Sequence, residues 1–234
     1  MTAWSPGRFW TQAVAEPCDG GFTVRLDARP IRTPAKSPVV LPTLAMAQAI
    51  AVEWDAQTGK VNPATMPCTR AANSAIDKVT PQLDEVVGLL AAYGGTDLLC
   101  YRATGPLALI QRQAAWDALL EWSAAALSAP LNATAGVMHI PQPEASLAAL
   151  TAQVAVLTPF QIAAFHDLVA ISGSLVLALA VTRRHLSLEA AWSLSRIDET
   201  WQTELWGTDE DAAAQEVLRK AAFMQADRFF RLCG

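Results

Sequence analysis

Two features of the sequence predict an α+β fold with a small N-terminal β-containing domain followed by a larger all-helical C-terminal domain. Residues 22–40 alternate and turn like a short hairpin, and from Thr69 onward Ala, Leu, Gln and Glu dominate, with helical stretches parted by Gly- and Pro-containing breaks. The 234 residues are 52% apolar and 17% charged, with a mean hydropathy of +0.23, enough to bury a sizeable core and too apolar for a disordered chain. The domains are expected at residues 1–78 and 79–234, the boundary falling between Met66 and Gln82.

Taking the elements in order, Phe22-Thr23-Val24-Arg25-Leu26 alternates apolar and polar side chains, Asp27-Ala28-Arg29-Pro30 makes a turn, and Ile31-Arg32-Thr33 resumes before Pro34. Pro38 and Pro42 bracket Val39-Val40-Leu41. Thr43 is placed to cap a helix that starts near Leu44, carries Ala45, Ala49, Val52 and Trp54, and stops by Gly59. Asn62 to Pro67 is a connector, since a residue before proline is biased away from helical geometry. Helices are expected over 71–78, 81–92, 108–127, 144–156, 159–181, 188–206 and 209–230, with abundant alanine lowering the entropic cost of each. Leu168 to Val181 is the strongest membrane candidate. As a helix it rises about 21 Å, short of a hydrocarbon core of about 30 Å, and Ser172-Gly173-Ser174 interrupts it, so a buried core helix is expected and membrane insertion is not.

The 17 Lys and Arg against 22 Asp and Glu give a net charge of −5 and a pI near 5.2, which argues against nucleic acid and anionic lipid as partners. The excess is uneven: eight basic and six acidic residues lie up to Thr80, nine and sixteen beyond it. Between Leu186 and Glu216 eight carboxylates (Glu189, Asp198, Glu199, Glu204, Asp209, Glu210, Asp211, Glu216) face one base, Arg196. Cys18, Cys68, Cys100 and Cys233 are scattered without zinc-like spacing, which suits reduced thiols. His139, His166 and His185 are far apart and only Asp167 adjoins one of them, so no metal and no cofactor is expected. There is no G-x-S-x-G elbow or Walker loop; Gly94-Gly95-Thr96-Asp97 lacks the lysine and the length to cradle phosphates. Ser172 and Ser174 read as core hydroxyls bonded back along a helix. The opening MTAWSPGRFW lacks the pattern of a secretory leader or a transit peptide, so a cytoplasmic location is expected.

The stretch Leu188 to Trp206 carries the most unusual pattern. Ser187 is a credible N-cap, with Glu189 near the positive end of the helix. At about 100° per residue, Leu194, Ile197, Trp201 and Leu205 share a stripe read as the core face, while Leu188, Trp192, Glu199 and Trp206 share a second, setting a carboxylate between two tryptophans. Asp198 borders the first stripe, and Glu204 lies near Ser193 on the more polar side. Glu199 reads either as an acceptor for an indole or arginine within a packed core, or as a partner-facing carboxylate in an aromatic surface of the kind found at interface centres. Acid/base catalysis by Asp198, Glu199 or Glu204 would need a pocket and carboxylates of separated pKa. Eight tryptophans (Trp4, Trp10, Trp54, Trp116, Trp122, Trp192, Trp201, Trp206) against two tyrosines are expected mostly in the core, with Trp54 and Trp116, which adjoin acids, as candidates for the junction of the two domains.

In order and spacing, Arg8-Phe9-Trp10, the run from Leu26 to Pro34, Glu53-Trp54-Asp55-Ala56-Gln57, Pro63 to Pro67 with Ala75-Ile76-Asp77, Thr96 to Tyr101, Gln113 with Trp116-Asp117, and Leu194 to Glu199 with Gln202 and Trp206-Gly207 resemble the ATP synthase assembly chaperone family that binds the α subunit of the enzyme's catalytic head. The resemblance covers roughly Arg8 to Asp211. It implies a non-enzymatic, cofactor-free chaperone that holds unassembled α subunit of F-type ATP synthase, shields its apolar subunit interface from aggregation and releases it for assembly with β subunits; a monomer is the simplest client-binding state. It also implies a functional acidic residue in the 188–206 helix, carried best onto Glu199, then Glu204 and Asp198; with Trp192 and Trp206 these form the expected partner-binding set. The family occurs in α-proteobacteria and in mitochondria, and the absence of a presequence points to a bacterial cytoplasm rather than a mitochondrial matrix. Ala28 departs from the glycine that relatives usually carry in the hairpin turn, and alanine resists positive φ. Thr208-Asp209-Glu210-Asp211 is a short acidic continuation after Gly207. The alternative from another class is an acid/base enzyme using Asp198, Glu199 and Glu204.

Overall fold

An antiparallel sheet of order β1-β2-β3 (Ala13–Cys18, Gly21–Leu26, Arg29–Pro30) opens the chain in the computed structural model, which describes residues 7–234. Trp4 lies outside the described residues. The sheet starts one strand earlier than the alternation at Phe22 suggests. Ala13–Cys18 holds Pro17 and two alanines, poor strand material on its own, yet it pairs with β2 from Ala13↔Leu26 to Cys18↔Gly21. The Asp19-Gly20 pair closes this hairpin, with Gly20 at φ 82°, and is the local signal that marks it. Gly21 is demanded by space: a Cβ there would sit 2.3 Å from the Leu41 carbonyl oxygen. At the second turn the left-handed residue is Asp27, φ 52°, so Ala28 is accommodated without positive φ. Aspartate tolerates that region, and the Asp27 carboxylate accepts the N–H groups of Thr11 and Gln12.

The helix α1 (Leu44–Asp55) is capped by Thr43, whose Oγ1 accepts from Met46 N. Its buried face is Met46, Ala47, Ile50 and Ala51, laid against β1 and β2, while Val52 stays exposed. After a single tight turn at Pro63–Thr65 come α2 (Pro67–Ser74), a wide π-type turn at Ala75–Val79, a 3-10 turn at Thr80–Gln82 and α3 (Leu83–Ala91). Pro81 has no N–H to give to the ladder; the wide turn precedes it, and Thr80 Oγ1 donates to the Ala75 carbonyl there.

Contacts divide the chain into two units. One comprises residues up to Leu83 with Thr158–Ala164 and Arg228–Gly234; the other comprises Asp84–Leu157 and Phe165–Asp227. Val24, Leu41, Met46, Ile50 and Met66 are buried in the first. The second holds a parallel pair, β4 (Tyr101–Arg102) with β5 (Thr134–Ala135). Its helices are α4 (Leu107–Gln113), α5 (Asp117–Leu127), α6 (Glu144–Ala155), α8 (Leu175–Thr182), α9 (Leu188–Ser195) and α10 (Ile197–Trp206). The helices α3, α7 (Pro159–Ser172) and α11 (Glu210–Leu232) give residues to both units. The architecture is the α+β one expected, a small N-terminal sheet and a larger helical part.

Three expected helices are divided. The 108–127 helix is interrupted by a tight turn at Ala114–Trp116. The 159–181 helix breaks at Gly173, φ 72°; Ser172 bonds back to the Leu168 carbonyl as expected, but Ser174 is the N-cap of α8 and accepts from Leu177 N. The 188–206 helix breaks at Arg196, φ −114°, ψ 13°. Every residue from Leu175 to Val181 is buried, so α8 is core to its unit, packed by α5 and α9, each large apolar side chain contributing about 1.5–3 kcal/mol. Among the described residues no helix is long and apolar enough to cross a membrane.

Candidate functional site

The second unit draws three distant motifs onto one network. Asp97 is fully buried: its Oδ1 accepts Leu99 N at 3.1 Å and its Oδ2 accepts Val176 N at 3.0 Å, so one carboxylate caps both a short 3-10 turn and α8. Burial pushes its carboxyl above the usual carboxylate range, and hydrogen bonds from Ser174, Val176, Leu99 and Leu175 pull it partly back. Arg102 donates to the carbonyls of Leu99 and Gln113, lies 2.8 Å from Asp117 Oδ1, and sets its guanidinium over the Trp116 ring. The buried Gln113 accepts from Ala103 N through Oε1 and donates Nε2 to Asp198 Oδ1 at 2.7 Å. Trp116 Nε1 donates to the Leu194 carbonyl at 2.9 Å. The segments around Tyr101, Gln113 and Asp198 thus meet in space through side chains whose partners lie 10 to 85 positions away.

The break at Arg196 redistributes the residues expected on a single helix. Trp192, on α9, is buried, with its ring 5.8 Å from Phe223 and the Arg196 guanidinium over it at 5.3 Å. This corrects its expected place on a partner-facing stripe: it packs in the core and supports Arg196. Arg196 is itself buried, donates to the Ile171 carbonyl, and holds Glu199 Oε1 at 3.0 Å. Glu199, half exposed at 52%, therefore combines features of both readings, since it takes an arginine yet stands outside the core. No residue of α10 is buried. Trp201 lies under the Arg112 guanidinium at 4.9 Å, and Arg112 donates to Glu204 Oε2 at 2.7 Å. That hydrogen bond holds the Glu204 carboxyl below its ordinary range. Leu205, expected on the core face, is exposed, and Trp206 is 79% exposed. Of the expected partner-binding set, Asp198, Glu199, Glu204 and Trp206 share α10, and Trp192 lies beneath.

Local sequence anticipates an arginine for Glu199 but gives no sign of the partners of Asp198 and Glu204. Arg112 and Gln113 stand on α4, and nothing in local periodicity pairs them with Glu204 and Asp198. It also lacks the role of the carboxylates in the first unit. Glu53 accepts the N–H groups of Cys68 and Thr69 and the Thr69 hydroxyl, capping the start of α2. Asp55 accepts Ala13 N and pairs with Arg8; Asp77 accepts the Thr33 hydroxyl and Ala35 N. The histidines are dispersed: His139 Nδ1 meets the Tyr101 hydroxyl, His185 stacks on Trp122, and His166 Nδ1 sits 3.1 Å from Asp167, a hydrogen bond that raises its pKa.

Chemically, α10 offers charge and aromatic surface. A general acid needs a carboxyl raised toward neutrality, whereas Glu204 is moved the other way.

The chain is similar to proteins of one kind. The model of the ATP12 chaperone protein family matches residues 7–124. Protein atp12, mitochondrial, of Schizosaccharomyces pombe is 26% identical over 218 residues, which cover 88% of this chain and 75% of that one. The crystal structure of Atp12 from Paracoccus denitrificans is 50% identical, with 97% of this chain and 98% of that one covered at a TM-score of 0.94. A structure from Agrobacterium tumefaciens, 39% identical and covering 98% and 87% of the two chains, superposes with the same TM-score of 0.94.

Proposed function

The chain belongs to the ATP12 chaperone family, and from that premise we propose that it is an assembly chaperone of F-type ATP synthase that binds the unassembled α subunit, covers its apolar subunit interface and releases it to β subunits. The supporting observation is α10, a helix with no buried residue that carries three carboxylates and the exposed Trp206. Such a helix adds little to the core; an exposed indole beside oriented charges is the composition of an interface centre.

Asp198, Glu199, Glu204 and Trp206 are the proposed contact residues, and Trp192 acts through Arg196. Unassembled subunits expose apolar surface that aggregates, so a holdase must cover it and still let go. Carboxylates already paired with arginines suit this, because a guanidinium can be exchanged for a client cation with little net change in hydrogen bonding. The protein works as a monomer, without cofactor or catalysis, in the bacterial cytoplasm, where its four cysteines, none in a disulfide, persist as thiols.

The test is co-expression of the tagged chain with separately expressed α and β subunits of the same organism's ATP synthase, followed by pull-down without nucleotide. Retention of α and not β is expected. Retention of neither, or of both equally, overturns the reading.

A further inference from the structure

Gln113 ends α4 with its side chain buried, an uncommon place for an amide. Its two ends are not interchangeable. The Ala103 N–H can only donate, so it fixes Oε1 on its own side at 2.7 Å and turns Nε2 toward Asp198, whose Oδ1 accepts at 2.7 Å. A flipped amide would set N–H against N–H and oxygen against carboxylate. The backbone is held as well, since the Gln113 carbonyl accepts from Arg102, which lies 2.8 Å from Asp117. The arrangement aims one neutral donor at one carboxylate.

The charges around the amide give its neutrality a meaning. In the network that joins α4 to α10, Arg102 pairs with Asp117, Arg112 with Glu204 and Arg196 with Glu199, which leaves Asp198 held by the amide alone. Asp97, in the same network, is fully buried on backbone N–H groups. Among the described residues no Lys or Arg pairs with Asp198, and its Oδ2 has no partner. The start of α10 supplies only about half a positive charge, shared between Asp198 and Glu199. A cation in place of Gln113 would hold Asp198 and cancel its charge; the amide holds it and leaves the charge for a partner. Asp198 is half-buried, so water screens that charge only in part. We propose that Gln113 is a positioning residue for client recognition, one that orients Asp198 without neutralising it, so that a lysine or arginine of the client is the group α10 selects. The inference rests on the proposed chaperone function of this surface and adds the residue that aims the acid and the charge of the client group.

The experiment measures the affinity of purified α subunit for the chain and for Gln113→Leu, Asp198→Asn and the double variant, with urea unfolding to give the folded fraction of each. Either single change should weaken binding roughly tenfold. The double variant should bind within about threefold of Asp198→Asn, because an amide that acts through Asp198 then has nothing left to aim. Losses that multiply to roughly a hundredfold overturn the inference and return Gln113 to holding the fold. Gln113→Lys separates position from charge: it donates to Asp198 while cancelling its charge, so binding should fall by about the same tenfold and lose much of its salt dependence. Binding at the unaltered level overturns the inference. If the Gln113 variants do not fold, Asp198→Asn, Glu199→Gln and Glu204→Gln decide it. The largest loss of affinity and of salt dependence at Asp198 supports the inference, and equal effects at all three overturn it. If the unaltered chain does not bind α, the chaperone function falls and the inference falls with it, a result distinct from binding with multiplying losses.

Discussion

The carboxylates at Glu53 and Asp97 and those on α10 belong to one set of motifs yet do opposite work. Glu53 accepts two backbone N–H groups at the start of α2, and Asp97 accepts two more that open α8 and the turn before Tyr101. Asp198, Glu199 and Glu204 take no backbone group; their partners are the side chains of Gln113, Arg196 and Arg112. A carboxylate that caps a helix cannot change partner without opening the helix, because the N–H groups at a helix start have no other acceptor. One that is paired with a guanidinium can. Acidic motif residues therefore divide into those that specify the fold and those free to serve a client, and the partner atom separates them.

Five substitutions at four positions can break or sharpen that division. Asp97→Ala strands two buried N–H groups, and urea unfolding should show a loss of about 3 kcal/mol while the folded fraction still binds α subunit. The pH dependence carries the same signature. A carboxyl whose native pKa lies above its ordinary value of 3.8 takes up a proton on folding, so its contribution is full below that value and is lost as pH rises through the native pKa. Asp97→Asn should flatten this limb of the stability curve, measured by urea midpoints from about pH 4 upward.

Glu53→Ala removes the cap of a half-buried helix start and should cost about 2 kcal/mol, again without weakening binding by the folded protein. Glu199→Lys should do the reverse. Measured on the folded protein, α-subunit binding should fall roughly tenfold, a larger effect than the loss of stability expected when the buried Arg196 loses its carboxylate partner; binding that falls no further than stability does would return Glu199 to the fold-specifying group. The smallest effect is expected from Glu204→Gln, which trades an exposed ion pair with Arg112 for a neutral hydrogen bond. Thermal melts should not move, and binding should weaken slightly and mainly at low salt.

Local chemistry made much of the fold legible. Thr43 caps α1 because a hydroxyl before an apolar run can reach the third residue's N–H, and the Ala-rich texture after Thr69 marks helices. Periodicity failed where backbone geometry changes inside an apolar run. Gly173 and Arg196 lie in stretches whose side chains continue the pattern, so the stripe containing Trp192 and Trp206 spans a break that sends one inward and the other outward. Ala13–Cys18 was hidden for a related reason: it is a strand by virtue of its partner, and only Asp19-Gly20 announces it. The anomaly of acids among tryptophans at Glu199 was readable, but Arg112 and Gln113 were not, since pairing across 92 and 85 positions leaves no local trace.

The Asp97 cap also constrains the order of events during synthesis. Its acceptor lies 79 residues ahead of the Val176 N–H that it receives, so the carboxylate leaves the ribosome well before the apolar segment whose start it fixes. Closing a loop of that length costs little more than closing a shorter one, because the entropy grows only logarithmically. Until it closes, Leu175 to Val181 has the local Ser174 cap but neither the Asp97 acceptor nor its core, and the nascent chain carries a sticky segment of its own. A protein proposed to protect another from aggregation thus passes through an aggregation-prone stage itself, shortest when Asp97 is in place to receive α8.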